Sequence, residues 1–98
     1  MIRGTTPTLE FILPFDTSLL AEAYVTLAQA GDVVLDKPLS ECTLDGNKMT
    51  VKLTQGDTLK LKTGLVEVQI RAKTIDGDAL ASDIILTSAS KILKDGAI

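Results

Sequence analysis

The chain has 98 residues, enough for one domain whose core needs neither a disulfide nor a metal to hold it. Apolar residues make up 45% and charged residues 23%, as in ordinary globular proteins, with Phe11, Phe15 and Tyr24 the whole aromatic content. A formal charge of −3 argues against a nucleic acid or an anionic membrane surface as partner.

Residues 1–7 carry Gly4 and Pro7 and read as a loose lead-in without the apolar run of a signal peptide. Thr8–Leu13 sets Leu9, Phe11 and Leu13 on one face of a first strand, with Thr8, Glu10 and Ile12 on the other. Pro14 ends it. Asp16 is placed to cap one helical turn over Thr17–Leu20. Ala21–Gln29 is rich in Ala and Leu, yet its period of two and its Tyr-Val-Thr centre predict a strand. A turn at Gly31-Asp32 leads into Val33–Lys37, with Val33 and Leu35 inward, and Pro38 stops it. Glu41–Leu44 is a short segment with Cys42 and Leu44 on one face. Asp45-Gly46-Asn47 turns into Lys48–Thr54, where Met49, Val51 and Leu53 point inward.

Thr54-Gln55-Gly56-Asp57-Thr58 reads as a polar connection, followed by alternation of Leu59 and Leu61 with Lys60 and Lys62. Val66, Val68, Ile70 and Ala72 then alternate with Glu67, Gln69, Arg71 and Lys73, the cleanest strand pattern in the chain. A two-residue type I′ turn at Asp76-Gly77 pairs Val66–Thr74 with Ala79–Ala89. In the last strand either Ile84 and Leu86 or Ile85 face the core, or both faces are buried. Residues 91–98 form a tail with Ile92, Leu93 and Ile98 as apolar groups.

Six or seven short strands with closely spaced turns predict an all-β fold over residues 1–98. The expected architecture is an antiparallel β-sandwich, immunoglobulin-like, with at most one short helical turn and the TQGDT connection at the crossing between sheets. The paired cysteines and core tryptophan of antibody domains are absent, so only the architecture carries over.

The chemistry available is narrow. Without histidine the usual general base and commonest metal ligand are missing. Cys42, the single cysteine, fits a reducing compartment and reads as a small core residue rather than a nucleophile. Asp76, Asp78 and Asp83 lie close in sequence, but the spacing of a calcium loop is missing and turn chemistry accounts for Asp76. Lys48, Lys52, Lys60, Lys62, Arg71 and Lys73 read as solvated sheet positions that blunt edge pairing. No catalytic, cofactor-binding or metal-binding residue is assigned, and no cofactor is expected. No apolar stretch approaches the ~20 residues of a membrane span.

Two segments, IRGTTPTLEFILPFDTSLL and LTQGDTLKLKTGLVEVQIRAKTIDGDALASDIILTSASKIL, together resemble small structural proteins of phages and prophages of Gram-positive gut bacteria. The second is also similar in pattern to the N-terminal domain of phage baseplate upper proteins. Gly64–Val66 matches their Gly-x-Val strand, and Asp76-Gly77 with Ser82 matches their hairpin motif. The long coiled or fibrous extension of those proteins is missing here. The resemblance implies a non-catalytic assembly protein of a tail or baseplate, made in the host cytoplasm and carried in the virion. Its partners would be other phage structural proteins. An alternative is a free-standing module binding a carbohydrate or peptide on one sheet face, though so few aromatic rings argue against sugar stacking; an enzyme ranks behind both. Self-association is expected through the edge strand Thr8–Leu13 or the tail Lys91–Ile98.

Overall fold

A computed structural model describes all residues, 1–98. It is mostly antiparallel strand, in two packed sheets. Strands β1 (Thr8–Ile12), β5 (Lys48–Lys52) and β4 (Cys42–Asp45) form one sheet in the order β1-β5-β4. The other has the order β3-β2-β6, from β3 (Asp32–Pro38), β2 (Leu20–Gln29) and β6 (Gly64–Thr74). The free side of β6 is shared by two short strands. Its end at Arg71–Lys73 pairs with β7 (Ala79–Ala81), and its start at Gly64–Val68 pairs with β8 (Ile85–Ala89). The chain crosses from one sheet to the other between β1 and β2, between β3 and β4, and again between β5 and β6. This is an immunoglobulin-like connectivity.

The alternation read from the sequence fixes the core. Ala23, Val25 and Leu27 of β2 and Val66, Val68 and Ile70 of β6 face Met49 and Val51 of β5, all buried. Leu9 and Phe11 of β1 close the side of this core. Asp16 accepts the Ser18 N–H and caps a single 3-10 turn, Thr17–Leu19, as expected.

Four local expectations change. The first concerns Val33. β2 and β3 slip by one residue, since Leu27 pairs with Leu35 but Ala28 with Val33. The extra residue, Val34, turns its side chain against the core and leaves Val33 outward and 64% exposed. The turn preceding it is centred on Ala30-Gly31, both at positive φ, rather than on Gly31-Asp32.

The second concerns the polar connection. Gln55–Leu59 is a short α-helix, α1, and a further 3-10 turn covers Leu39–Glu41. The chain therefore has three short helical segments where one was expected. A capping box makes α1 possible: the Thr54 hydroxyl accepts the Asp57 N–H, and the Asp57 carboxylate accepts the Thr54 N–H. Leu59 consequently ends a helix, and Leu61 is buried in the loop after it rather than in a strand.

The third is the turn after β6. Thr74 N–H bonds to Asp78 O and Gly77 N–H to Thr74 O, so the loop holds three residues, Ile75-Asp76-Gly77. Only Gly77 has positive φ, at 90°, and Asp76 does not. This is a type I turn followed by a left-handed glycine, and not the two-residue type I′ turn.

The fourth is the last strand, which is interrupted at Ser82. Its hydroxyl accepts the Ile70 N–H in place of a backbone carbonyl, and its own N–H bonds to Ile70 O. Neither face of Ile84–Leu86 is buried; of this strand only Ala89 reaches the core.

Leu27 lies mid-strand with no exposed surface. Leu27→Ala is expected to cost about 2–5 kcal/mol from lost transfer energy and a residual cavity, against a total stability of about 5–15 kcal/mol. Urea melts measure it. A loss below about 1 kcal/mol would mean that the two sheets do not pack as described.

Candidate functional site

The groups able to carry chemistry are dispersed. Cys42 at the start of β4 is half-buried against the core, and its thiol reaches Pro38 O at 3.5 Å. Burial, helped by Glu41 nearby, pushes the thiol pKa up, which disfavours the reactive thiolate. Asp76 and Asp78 sit in the three-residue turn and its flank, while Asp83 lies in the break between β7 and β8. No group of three or more Cys, Asp or Glu side chains converges on a common point. The basic residues divide as well: Lys48 and Lys52 lie on β5, Arg71 and Lys73 on the other sheet, and Lys60 and Lys62 in the loop after α1. They form no single stripe.

The one tightly held ion pair joins Lys37 near the end of β3 to Asp57 of α1, Nζ to Oδ2 at 2.8 Å, with the two side chains only 14% and 11% exposed. Glu41 stands farther off, at 3.8 Å from Nζ. Burial alone would raise the Asp57 pKa. The Lys37 bond and the bonds from the Thr54 backbone and hydroxyl outweigh it and hold the carboxyl below its ordinary range. The same hydrogen bond to Asp57 raises Lys37. Both partners are engaged in holding α1 across the sheet end, and the pair is structural in character.

Two concavities stand out. The larger, about 410 Å³, lies on the outer face of the β3-β2-β6 sheet, among Tyr24, Thr26, Asp36, Arg71 and Lys73. Its polar groups are partly engaged: Tyr24 OH donates to Glu22 Oε1 at 2.7 Å, and Thr26 Oγ1 donates to Asp36 Oδ1 at 2.7 Å. The Glu22 bond raises the Tyr24 pKa, so the phenol stays protonated as a donor. The smaller, about 250 Å³, is apolar and opens between the sheets beside β7. Sequence patterning could not show either, because each is assembled from strands far apart in the chain.

An unpartnered apolar surface lies along β8. Ile84, Ile85 and Leu86 are 53%, 46% and 61% exposed at the open edge of the sheet, and Leu65 of the neighbouring β6 is exposed beside them. Even-numbered residues of β8 turn their backbone groups away from β6. Those of Ser88 and Ser90 are taken by the lead-in: Met1 N bonds to Ser88 O, Ser90 N–H to Met1 O and Arg3 N–H to Ser90 O. Met1–Arg3 thus covers the end of this edge and leaves Ile84–Thr87 open. Strand β1 is also a sheet edge, and Ile12 on it is exposed.

No family model, curated protein or solved structure matches the chain. No helix is long and apolar enough to cross a membrane.

The ion pair has a signed pH dependence. A carboxyl with a depressed folded pKa contributes stability above its ordinary value of 3.8 and loses it as the pH falls through the lower folded value. Lys37, raised above 10.5, contributes below that value and loses its share as the pH rises through the raised one. Asp57→Asn is expected to cost on the order of 2–3 kcal/mol at neutral pH, less than for a fully buried pair. In urea melts the gap between variant and parent should narrow as the pH falls below 3.8 and through the lowered folded value. A gap that stays constant across that range would assign the effect to shape and not to charge.

Proposed function

We propose that the protein is a non-catalytic assembly module of a phage or prophage particle, in its tail or baseplate. The observation that carries this reading is the open edge at Ile84–Thr87. Folded chains usually blunt such an edge with charge, proline or a covering segment. Here three consecutive large apolar side chains stand in water along it, a composition that fits a surface meeting another protein. The resemblance of the opening and closing segments to small phage structural proteins points to the same role. β-strand addition at this edge would supply main-chain hydrogen bonds, and Leu65 and Leu86 would supply apolar area.

A second reading, a module that binds a carbohydrate or peptide, is favoured by the polar cleft around Tyr24, Asp36 and Arg71. The cleft offers one aromatic ring, and that ring's hydroxyl is already bonded to Glu22.

Immunogold electron microscopy of particles released from the strain that carries the gene tests the first reading. Label on the tail or baseplate is expected, and particles free of the protein would rule it out. A thermal-shift screen with glycans and peptides tests the second: a saturable rise in melting temperature that Tyr24→Ala abolishes would transfer the function to the cleft.

A further inference from the structure

The apolar cavity and the tail lie at opposite ends of the molecule. Leu13 and Phe15 line the cavity mouth with Leu80, and Ala23, Met49 and Ile70 form its floor. Leu13 follows the end of β1 that pairs with Lys48, while Leu53 and α1 follow the other end of β5. In the second sheet the cavity sits at Ile70–Ala72, and the tail leaves from Ala89, which pairs with Gly64. Six residues of strand, about 20 Å, separate Gly64 from Ile70.

The tail is held at its own end. Arg3 Nη1 meets Asp95 Oδ1 at 3.9 Å, and the Gln55 amide exchanges two hydrogen bonds with the backbone of Ile98. Ile92 lies over Gly4, where a Cβ would stand only 2.9 Å from Ile92 Cδ1. With its backbone pinned in this way, the tail presents Leu93 and Ile98 to solvent at 97% and 94% exposure. A chain's own Leu93 therefore does not fill its own cavity.

We propose that the cavity receives Leu93 of a second copy, so that copies join head to tail. Size favours a single side chain. Sites for drug-sized ligands run to about 300–1,000 Å³, while an apolar cavity of about 150 Å³ already holds benzene. At about 250 Å³ this one has room for a branched aliphatic group. Charge selects the same segment. Lys91 and Lys94 stand two residues before and one after Leu93, with Asp95 turned to Arg3 of the same chain, and the lining residues Phe15 and Ser82 are followed directly by Asp16 and Asp83. Lys73, next to lining residue Ala72, belongs to the cleft on the other face of the sheet. A knob at one end and a hole at the other make a heterologous contact, which propagates into a ring or a filament rather than closing as a two-fold dimer.

This inference rests on the assembly reading but is tested separately, by mixing two full-length variants. Leu93→Lys removes the knob at a fully solvated position. Ala72→Phe fills the hole, and Leu80→Arg, which sets a charge at its mouth, replaces it should Ala72→Phe not fold. Gel filtration with light scattering should show the parent as large, concentration-dependent species and each variant alone as a monomer. The mixture should run at twice the mass of one chain, because one intact knob meets one intact hole. Variants that assemble like the parent, a mixture that stays monomeric, or a parent that is monomeric at all concentrations would overturn the head-to-tail contact. None of these results bears on whether the protein is found in particles, so the two readings fail independently.

Discussion

The bond between Lys37 and Asp57 ties together the end of the molecule where the chain crosses from β3 to β4 and from β5 to β6. Asp57 serves two purposes there: its carboxylate caps α1 through the Thr54 N–H and also takes the Lys37 ammonium. Once α1 is fixed, its neighbours find their partners on it. The Thr58 hydroxyl donates to Thr5 O, and the Arg3 guanidinium donates to Leu59 O and Leu61 O. Residues with little apolar area of their own, Arg3 to Thr5, are held in this way, and the lead-in can then lie against Ser88–Ser90. A helix of five residues is too short to persist alone, so these tertiary bonds and the capping box have to sustain it.

The two ends of the sandwich differ in what holds them. Around α1 the contacts are hydrogen bonds and ion pairs with defined partners. At the opposite end Leu13, Pro14 and Phe15 arch over the gap between sheets, and backbone bonds from Leu13 to Asn47 and from Thr17 to Gly46 fasten the arch to the β4–β5 turn. That arch leaves the space between the sheets underfilled, since Ala23 and Ala72 present only methyl groups toward it. A knitted end that shows apolar side chains and a loose end that shows an apolar hollow give the molecule a direction along its 47 Å length.

The strands were legible in the sequence because most of them are half-buried, and half-burial writes a period of two. The same rule misplaced Val33, since a bulge adds one residue and reverses every face beyond it. It also gave no answer for Ile84–Leu86, three apolar residues in a row with neither face buried. Helix α1 left a faint mark: Thr54 and Asp57 have the spacing of a capping box, but a single helical turn adds no periodicity to support it. The pairing of Lys37 with Asp57 left no mark at all. Those residues are twenty positions apart and meet only because β3 and the crossing helix converge. The two hollows were hidden for the same reason, as was the open edge of β8, which depends on how far the lead-in reaches along the last strand.

Ser82 divides what would have been one long edge into pieces of three and five residues. An uninterrupted apolar edge of that length would template stacking of identical strands without limit, the geometry of a cross-β fibril. A break that bonds a side chain to Ile70 bends the chain at mid-edge, and the lead-in closes the far end. Any strand added at Ile84–Thr87 thus has about four residues to pair with, a length that holds only when other contacts accompany it. The serine hydroxyl thus acts as a brake, shortening the apolar run open to pairing from the whole edge to the few residues that follow it.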